Sequence, residues 1–387
     1  MRSIRRGCIS GMTSLALLVI SPTPLWAGVG LSSYGVVPDR TPPAAPPPHG
    51  ILPLSPPRQS SIPAGSVLCG IDSIFTDGFE PASFTPIDQV SGGIPSPGLT
   101  QDIIGSGTLS VAISSPAAGA TTGESTVDVT GTFVGPMNTG ITVNGVAGYV
   151  ANGTFLVPNV PLNPGSNNLN VQAVTLPGAT ASTSGSITQS GSPAPVSMQV
   201  GRAIGYGPVS ISFRYSIGTL LGNATVQSVA INFRGSGADD YTGPLSGAPA
   251  SYTYMQPGAY TARFTVTDSN NQIYTANRTV LIQDLVAQRG MLCDVYGYVK
   301  NRLTAQDAAN AGSAYQSVVR TGYVNFFNQL GANMPATAQQ LGVIVDGQLG
   351  IGFADLLLVR DNADQNRSGF PLRLTLGTDG VWRISEM

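Results

Sequence analysis

The sequence predicts a multidomain, mostly β chain: two tandem β-sandwiches followed by a C-terminal α+β domain. Three observations predict it. Charged residues make up only 10% of the 387 positions, against about 25% in a typical soluble domain. Glycine (48) and proline (30) are both abundant, which suits short strands joined by turns better than helices. From about Thr108, apolar and polar residues alternate in short runs separated by turn signals, and helical spacing enters only from about Leu285.

The N-terminus reads as an export signal. Arg2, Arg5 and Arg6 give a basic start, Gly11–Ile20 an apolar core broken only by Thr13 and Ser14, and Pro22 and Pro24 lead into Leu25-Trp26-Ala27. That order is the three-part pattern of a secretory signal peptide, residues 1–27. Losing its three arginines lowers the formal charge from −2 to −5. A charge-poor, mildly acidic chain lacks the basic footprint that phosphate contacts require, so no nucleic-acid partner is expected. Nor does any later stretch have the ~18 unbroken apolar residues of a membrane span; Leu341–Val359 is interrupted by Asp346 and Asp355. The expected destination is the periplasm, the cell surface or the medium.

Residues 28–106 carry no sustained periodicity. Thr41–Pro48 is a polyproline II tract, continued by Pro53, Pro56, Pro57 and Pro63, and fits a semi-rigid disordered spacer or a recognition tract for a partner. His49, the only histidine, lies here. Inside the spacer, Ile74-Phe-Thr-Asp-Gly-Phe-Glu80 resembles a short segment of exported proteins of some Gram-negative bacteria. Asp72, Asp77 and Glu80 fit a calcium contact or, more simply, a tight Asp-Gly turn between two phenylalanines. Cys8 leaves with the signal peptide, so Cys69 and Cys293 are the two cysteines of the mature chain. An oxidising destination permits a disulfide between them, and neither has the close Cys or His neighbours of a zinc site.

The first sandwich is expected over 107–190. Leu109, Val111 and Ile113 alternate, as do Val127, Val129, Gly131 and Phe133, and Ile141-Thr-Val143 runs into an Asn144-Gly145 hairpin turn. Phe155, Val157, Leu169 and Val171 follow. With Ser115-Pro116, Val129-Thr-Gly131, Val143-Asn-Gly-Val146 and Pro161–Leu169, the stretch resembles a bacterial immunoglobulin-like domain of the cysteine-free type. The resemblance implies that Gly131, Gly145 and Gly165 are turn formers. Thr183–Pro195 is then a Ser/Gly/Pro joint.

The second sandwich is expected over 195–284, where Val209, Ile211 and Phe213 alternate, as do Val229, Ile231 and Phe233. Tyr252–Asn270 resembles the last hairpin of a polycystic-kidney-disease (PKD) domain, with Pro257-Gly258 at its turn and Tyr260, Ala262, Phe264 and Val266 on one face. The family's Asp-Phe-Gly-Asp-Gly signature falls on Asn232-Phe233-Arg234-Gly235 in degraded form, with Asp239-Asp240 displaced downstream, which puts any metal site there in doubt.

In 285–387, Leu285, Leu292, Val295, Val299 and Leu303 follow helical spacing, further helices are expected within Asp307–Leu330 and Pro335–Leu341, and strands over Gly342–Val345, Gly350–Arg360, Phe370–Leu376 and Val381–Ser385. With the closing Asp379-Gly-Val-Trp382-Arg-Ile384, the region resembles a nuclear-transport-factor-2-like cone. That fold houses enzymes in some cases and binds or supports in others. Its catalytic members use buried Asp, Tyr or His groups. The one acid expected in a cavity is Asp355, between Phe353 and Leu356, with Tyr296, Tyr298 or Tyr315 as donors; the alternative is that Asp355 points outward or sits at a bulge.

Other chemistry is poorly supplied. The lone histidine, His49, sits in the proline tract and is not placed to activate a serine, there is no His-Glu-x-x-His or paired Cys-x-x-Cys, and Gly347–Gly352 lies among strands and opens no helix. Asp364-Gln-Asn366-Arg-Ser368-Gly369 copies half a calcium loop but has Thr375 where the twelfth-position Glu belongs. No cofactor is expected. The reading is a non-catalytic surface or periplasmic interaction protein, its sandwiches spacing and presenting the C-terminal domain to a protein or glycan partner. The alternative is a small-ligand-binding or weakly catalytic cone on β spacers.

Overall fold

A computed structural model of the chain describes residues 108–361 and 367–387, all within one compact unit. Residues 1–107, with His49, Cys69, Asp72, Asp77 and Glu80, lie outside the described residues, as does 362–366 of the calcium-like loop.

The first sandwich comprises β1 (Ser110–Ser115), β2 (Ala120–Thr122), β3 (Thr126–Val134), β4 (Gly140–Val143), β5 (Val146–Ala147), β6 (Tyr149–Ala151), β7 (Thr154–Pro161), β8 (Gly165–Val174) and β9 (Thr180–Gln189). One sheet has the order β1-β3-β7-β6, the other β2-β9-β8-β4-β5. Side chains alternate across a pleat, so Val129, Phe155, Val157, Leu169 and Val171 face inward and form one core. Asn144 and Gly145 have φ 50° and 82°, as a two-residue hairpin turn needs. Gly131 is not a turn residue. It lies mid-strand in β3, where a Cβ would meet the Ala112 carbonyl at 2.0 Å and the Phe155 ring at 2.5 Å; close packing, not backbone twist, demands glycine. The joint is also shorter than expected, because β9 pairs along β8 through Gln189 and leaves only Ser190–Pro195 as linker.

The second sandwich holds β10 (Val196–Val200), β11 (Ile204–Tyr206), β12 (Val209–Ile217), β13 (Val226–Asn232), β14 (Tyr241–Gly243), β15 (Ser251–Tyr254), β16 (Gly258–Asp268) and β17 (Ile273–Gln283). The sheets are β10-β12-β15 and β11-β17-β16-β13-β14. Ala262, Phe264 and Val266 of β16 are buried in alternation, with Tyr260 half-buried. Pro257-Gly258 does not close a hairpin: β15 pairs with β12 and β16 with β13 and β17, so the segment crosses between sheets. The true hairpin is β16–β17, turning at Ser269-Asn270, where the Asn271 amide donates to the Asp268 carbonyl at 2.9 Å. The degraded signature loop is knit by Asn232, fully buried. Its Oδ1 accepts from the Arg234 and Gly235 amides at 3.0 and 2.7 Å, and its Nδ2 donates to the Ala238 carbonyl at 3.0 Å.

The C-terminal region is α+β. Helices α1 (Leu285–Thr304), α2 (Ala308–Ser313), α3 (Ser317–Leu330) and α4 (Met334–Gln340) precede an antiparallel meander of β18 (Val343–Gly350), β19 (Phe353–Asp361), β20 (Arg367–Leu376) and β21 (Trp382–Glu386). Leu292, Val295, Val299 and Leu303 of α1 are fully buried. The first hairpin turns at Ile351-Gly352, with Gly352 at φ 79°, so β18 runs five residues beyond the expected Val345.

The three domains are docked on one another. Asn138 of the first sandwich, 1% exposed, donates from Nδ2 to the Trp382 carbonyl at 3.0 Å and accepts from the Trp382 amide at 2.8 Å, across 244 residues. Beside it, a Cβ on Gly140 would lie 2.2 Å from the Asp379 carbonyl oxygen, and Leu176 is buried in the C-terminal core. Between the sandwiches, Leu156 packs with Ala203, Ile204 and Leu281, and Asp128 accepts from the Thr279 amide at 3.3 Å. Tyr206 Oη reaches the Gly350 carbonyl at 3.4 Å, linking the second sandwich to the C-terminal sheet. Sandwiches acting as separate spacers would not share such contacts.

Candidate functional site

Among the described residues, a half-open cleft lies where the first sandwich meets the start of α1. It encloses about 150 Å³. One wall is the β3 end and the β6–β7 turn, including Phe133 and Asn152; the other is Gln283, Asp284, Gln288 and Met291. Asn152-Gly153 makes the tight turn, at φ 49° and 73°, and the Gly153 carbonyl is tied to the Phe133 amide at 2.9 Å. Asp284 sits at the last position before the helix and accepts from the Val286 and Ala287 amides at 2.8 and 3.0 Å, satisfying two of the amide donors a helix leaves unpaired. Gln283 ends β17 and donates to the Val150 carbonyl of β6 at 2.9 Å. Strand, cap and helix thus follow without a linker, and that continuity fixes the cleft wall.

Gln288, one turn into α1, is 8% exposed, and its Nε2 has no hydrogen-bond partner. A buried donor left unpaired costs about 1–3 kcal/mol. No lysine, arginine or histidine lines the cleft.

The residues singled out by sequence lie elsewhere. Asp355 is on the outer face of β19, half exposed and paired with Arg373 of β20 at 2.6 Å; its neighbours Ala354 and Leu356 take the buried face. The alternation of β19 turns the carboxyl away from the core, so the apolar surroundings an acid–base role requires are absent around it. Tyr296 donates to the Gly342 carbonyl at 2.7 Å, and Tyr298 shares a 3.4 Å contact with Ser313. Tyr315 is fully buried, and burial raises its hydroxyl pKa well above the ordinary tyrosine value. The three phenols belong to packing and not to a shared cavity with Asp355. Cys293 is disulfide-bonded; the expected partner, Cys69, lies outside the described residues. Among the described residues no cluster of three metal-ligating side chains occurs, and no helix is long and apolar enough to cross a membrane.

Exposed ion pairs contribute about 0–1 kcal/mol. Replacing Asp355 with alanine is therefore expected to change unfolding free energy by less than about 0.5 kcal/mol in a urea titration. A loss above about 2 kcal/mol would show a structural role that its exposure denies.

No protein-family model matches the chain, and no curated protein matches it in sequence. Solved structures similar to it include the fibronectin(III)-like modules of Clostridium thermocellum CbhA, at 13% identity over 46% of this chain and 95% of that one, with a TM-score of 0.18. A multidomain fragment of titin matches at 10% identity over 46% and 66% of the two chains, TM-score 0.18. The Bacteroides ovatus mixed-linkage glucan utilization locus protein SGBP-B, solved with a heptasaccharide, matches at 14% identity over 45% of each, TM-score 0.17.

Proposed function

We infer that the chain is an exported, non-catalytic interaction protein in which two sandwiches, of bacterial immunoglobulin-like and PKD-like type, brace a nuclear-transport-factor-2-like domain as one presenting body. The observation that supports this most is the double hydrogen bond between Asn138 and Trp382, with the glycine-to-backbone contact at Gly140 beside it. Directional bonds between distant modules hold relative orientation, which a scaffold needs and a string of spacers does not. The alternative, a catalytic cone, draws no support from Asp355, whose carboxyl is exposed and ion-paired.

The test is fractionation of Gram-negative cells expressing the full chain, with mass analysis of the product. The expected product begins at Gly28, lies outside the cytoplasm, and yields a Cys69–Cys293 cross-linked peptide under non-reducing digestion. Product retained in the cytoplasm with Met1 intact would overturn the reading.

A further inference from the structure

We propose that residues 70–80 of this chain, Gly-Ile-Asp-Ser-Ile-Phe-Thr-Asp-Gly-Phe-Glu, dock on a glycine-lined strip of α1 and strap the C-terminal domain from outside. A covalent bond, two glycines and a charge match meet on that strip.

Cys293 lies in the middle of α1 and is disulfide-bonded. The chain has three cysteines, and Cys8 falls in the signal peptide, so the other half of the bond is Cys69. A disulfide holds its two Cα atoms within about 7 Å. The residues that follow Cys69 therefore start at the surface of α1.

Gly290 and Gly297 lie one turn before and one turn after Cys293, on the same face of the helix. Glycine weakens a helix interior more than any residue but proline. A Cβ at either position would meet no described atom within 4 Å. No described neighbour requires glycine there, in contrast to Gly312 of α2, where a Cβ would meet Val324 at 2.2 Å. The two glycines clear a strip around a cross-linked cysteine, and the chain that carries the other cysteine is the one placed to use it.

Charge agrees. Residues 70–80 hold Asp72, Asp77 and Glu80 and no basic residue. Arg289 and Lys300 border the strip on one side, with Lys300 Nζ 3.5 Å from the Leu341 carbonyl oxygen. Asp294, on the opposite flank, is buried, so the outward charge beside the strip is basic. Asp72 follows Cys69 by three residues, within reach of Lys300, two turns along from Cys293. Ile71, Ile74, Phe75 and Phe79 supply apolar surface to bury.

The proposal rests on the exported reading only for an oxidised cysteine pair. The two fail separately, because an exported, disulfide-bonded chain can leave residues 70–80 undocked. The experiment is hydrogen exchange with limited chymotrypsin digestion on the oxidised mature chain, residues 28–387. The amides of 71–80 are expected to exchange at least about tenfold more slowly than in a free peptide, and the bonds after Phe75 and Phe79 to resist cleavage. Gly297→Gln fills the strip with a better helix former. It should abolish that protection and open both bonds, with the disulfide intact and the β16–β17 amides unchanged. Asp72→Lys leaves α1 untouched and should act in the same direction by setting like charges together. The proposal is overturned if residues 71–80 exchange and cleave as a free peptide does in the parent, or if the folded variants keep the parent's protection. It is also overturned if non-reducing mass analysis shows Cys293 bonded to the Cys69 of a second copy.

Discussion

Replacing Gly140 with valine is expected to separate the first sandwich from the C-terminal domain. Even a single Cβ at this position meets the Asp379 carbonyl oxygen at 2.2 Å and the Val381 amide nitrogen at 2.6 Å. Both obstacles are backbone, so no rotamer change relieves them, and valine adds two methyl groups to the clash. Overpacking typically costs about 1–3 kcal/mol and more where nothing can move; here at least about 3 kcal/mol is expected. Asn138→Ala attacks the same contact by subtraction. It strands the Trp382 amide and carbonyl in a buried setting, at about 2–4 kcal/mol for two unmet groups. In differential scanning calorimetry, either variant should split or broaden a transition that is single in the parent. A Gly140→Val protein that melts as the parent does would show that the interface does not hold.

The second large effect concerns Asp379 and Arg383. Arg383 is 8% exposed and grips both carboxylate oxygens of Asp379 at 2.8 Å, while its Nε reaches the Ser313 carbonyl of α2 at 3.3 Å. The pair locks the β20–β21 turn, the same turn that receives Gly140. Removing one partner of a buried pair costs about 3–5 kcal/mol; Asp379 is about a third exposed, so about 2–3 kcal/mol is expected for Asp379→Ala.

The pH dependence follows from the same pair. Burial pushes the Asp379 carboxyl upward, but the Arg383 hydrogen bond and charge outweigh it and hold the pKa below the ordinary value. Asp268 is lowered likewise: burial raises it, and bonds from the Gln272 and Asn270 amides and the Tyr274 hydroxyl overcome that. For a depressed carboxyl the unfolded chain binds the proton more readily. The stabilisation is thus complete above the unfolded pKa of about 3.9 and is lost as pH falls through the folded value. Urea midpoints should be flat near neutrality and fall below about pH 4, less steeply in Asp379→Ala than in the parent. A steeper fall in the variant would contradict the assignment.

Much of the fold was legible because strand alternation is a local pattern. Val129, Phe155, Leu169, Phe264 and Val266 point where period-two spacing says they should, and Asn144-Gly145 announced its turn through residue type alone. What was not legible depends on tertiary partners. Gly131 looked like a turn former because glycine permits positive φ, yet its role is to let Phe155 and the Ala112 carbonyl approach. Pro257-Gly258 looked like a hairpin turn because nothing local says that β15 and β16 join different sheets. Asp355 stood out by sitting among apolar residues, but alternation within β19 places it opposite Arg373 on the outer face. The cleft was missed for the same reason. Asp284 ahead of Leu-Val-Ala carries a helix-start signal, but its meeting with the β6–β7 turn joins residues more than a hundred positions apart.

The account rests on the three domains forming one docked body, and the most direct test is hydrogen exchange at the Trp382 amide. In the structure that N–H donates to Asn138 Oδ1 at 2.8 Å, an atom of another domain. The expected result for the mature chain is protection of about a thousandfold or more, lost largely in Asn138→Ala while the β16–β17 amides of the second sandwich stay protected. Exchange of the Trp382 amide at the rate of an exposed loop in the parent protein would contradict the docking, and with it the single presenting body.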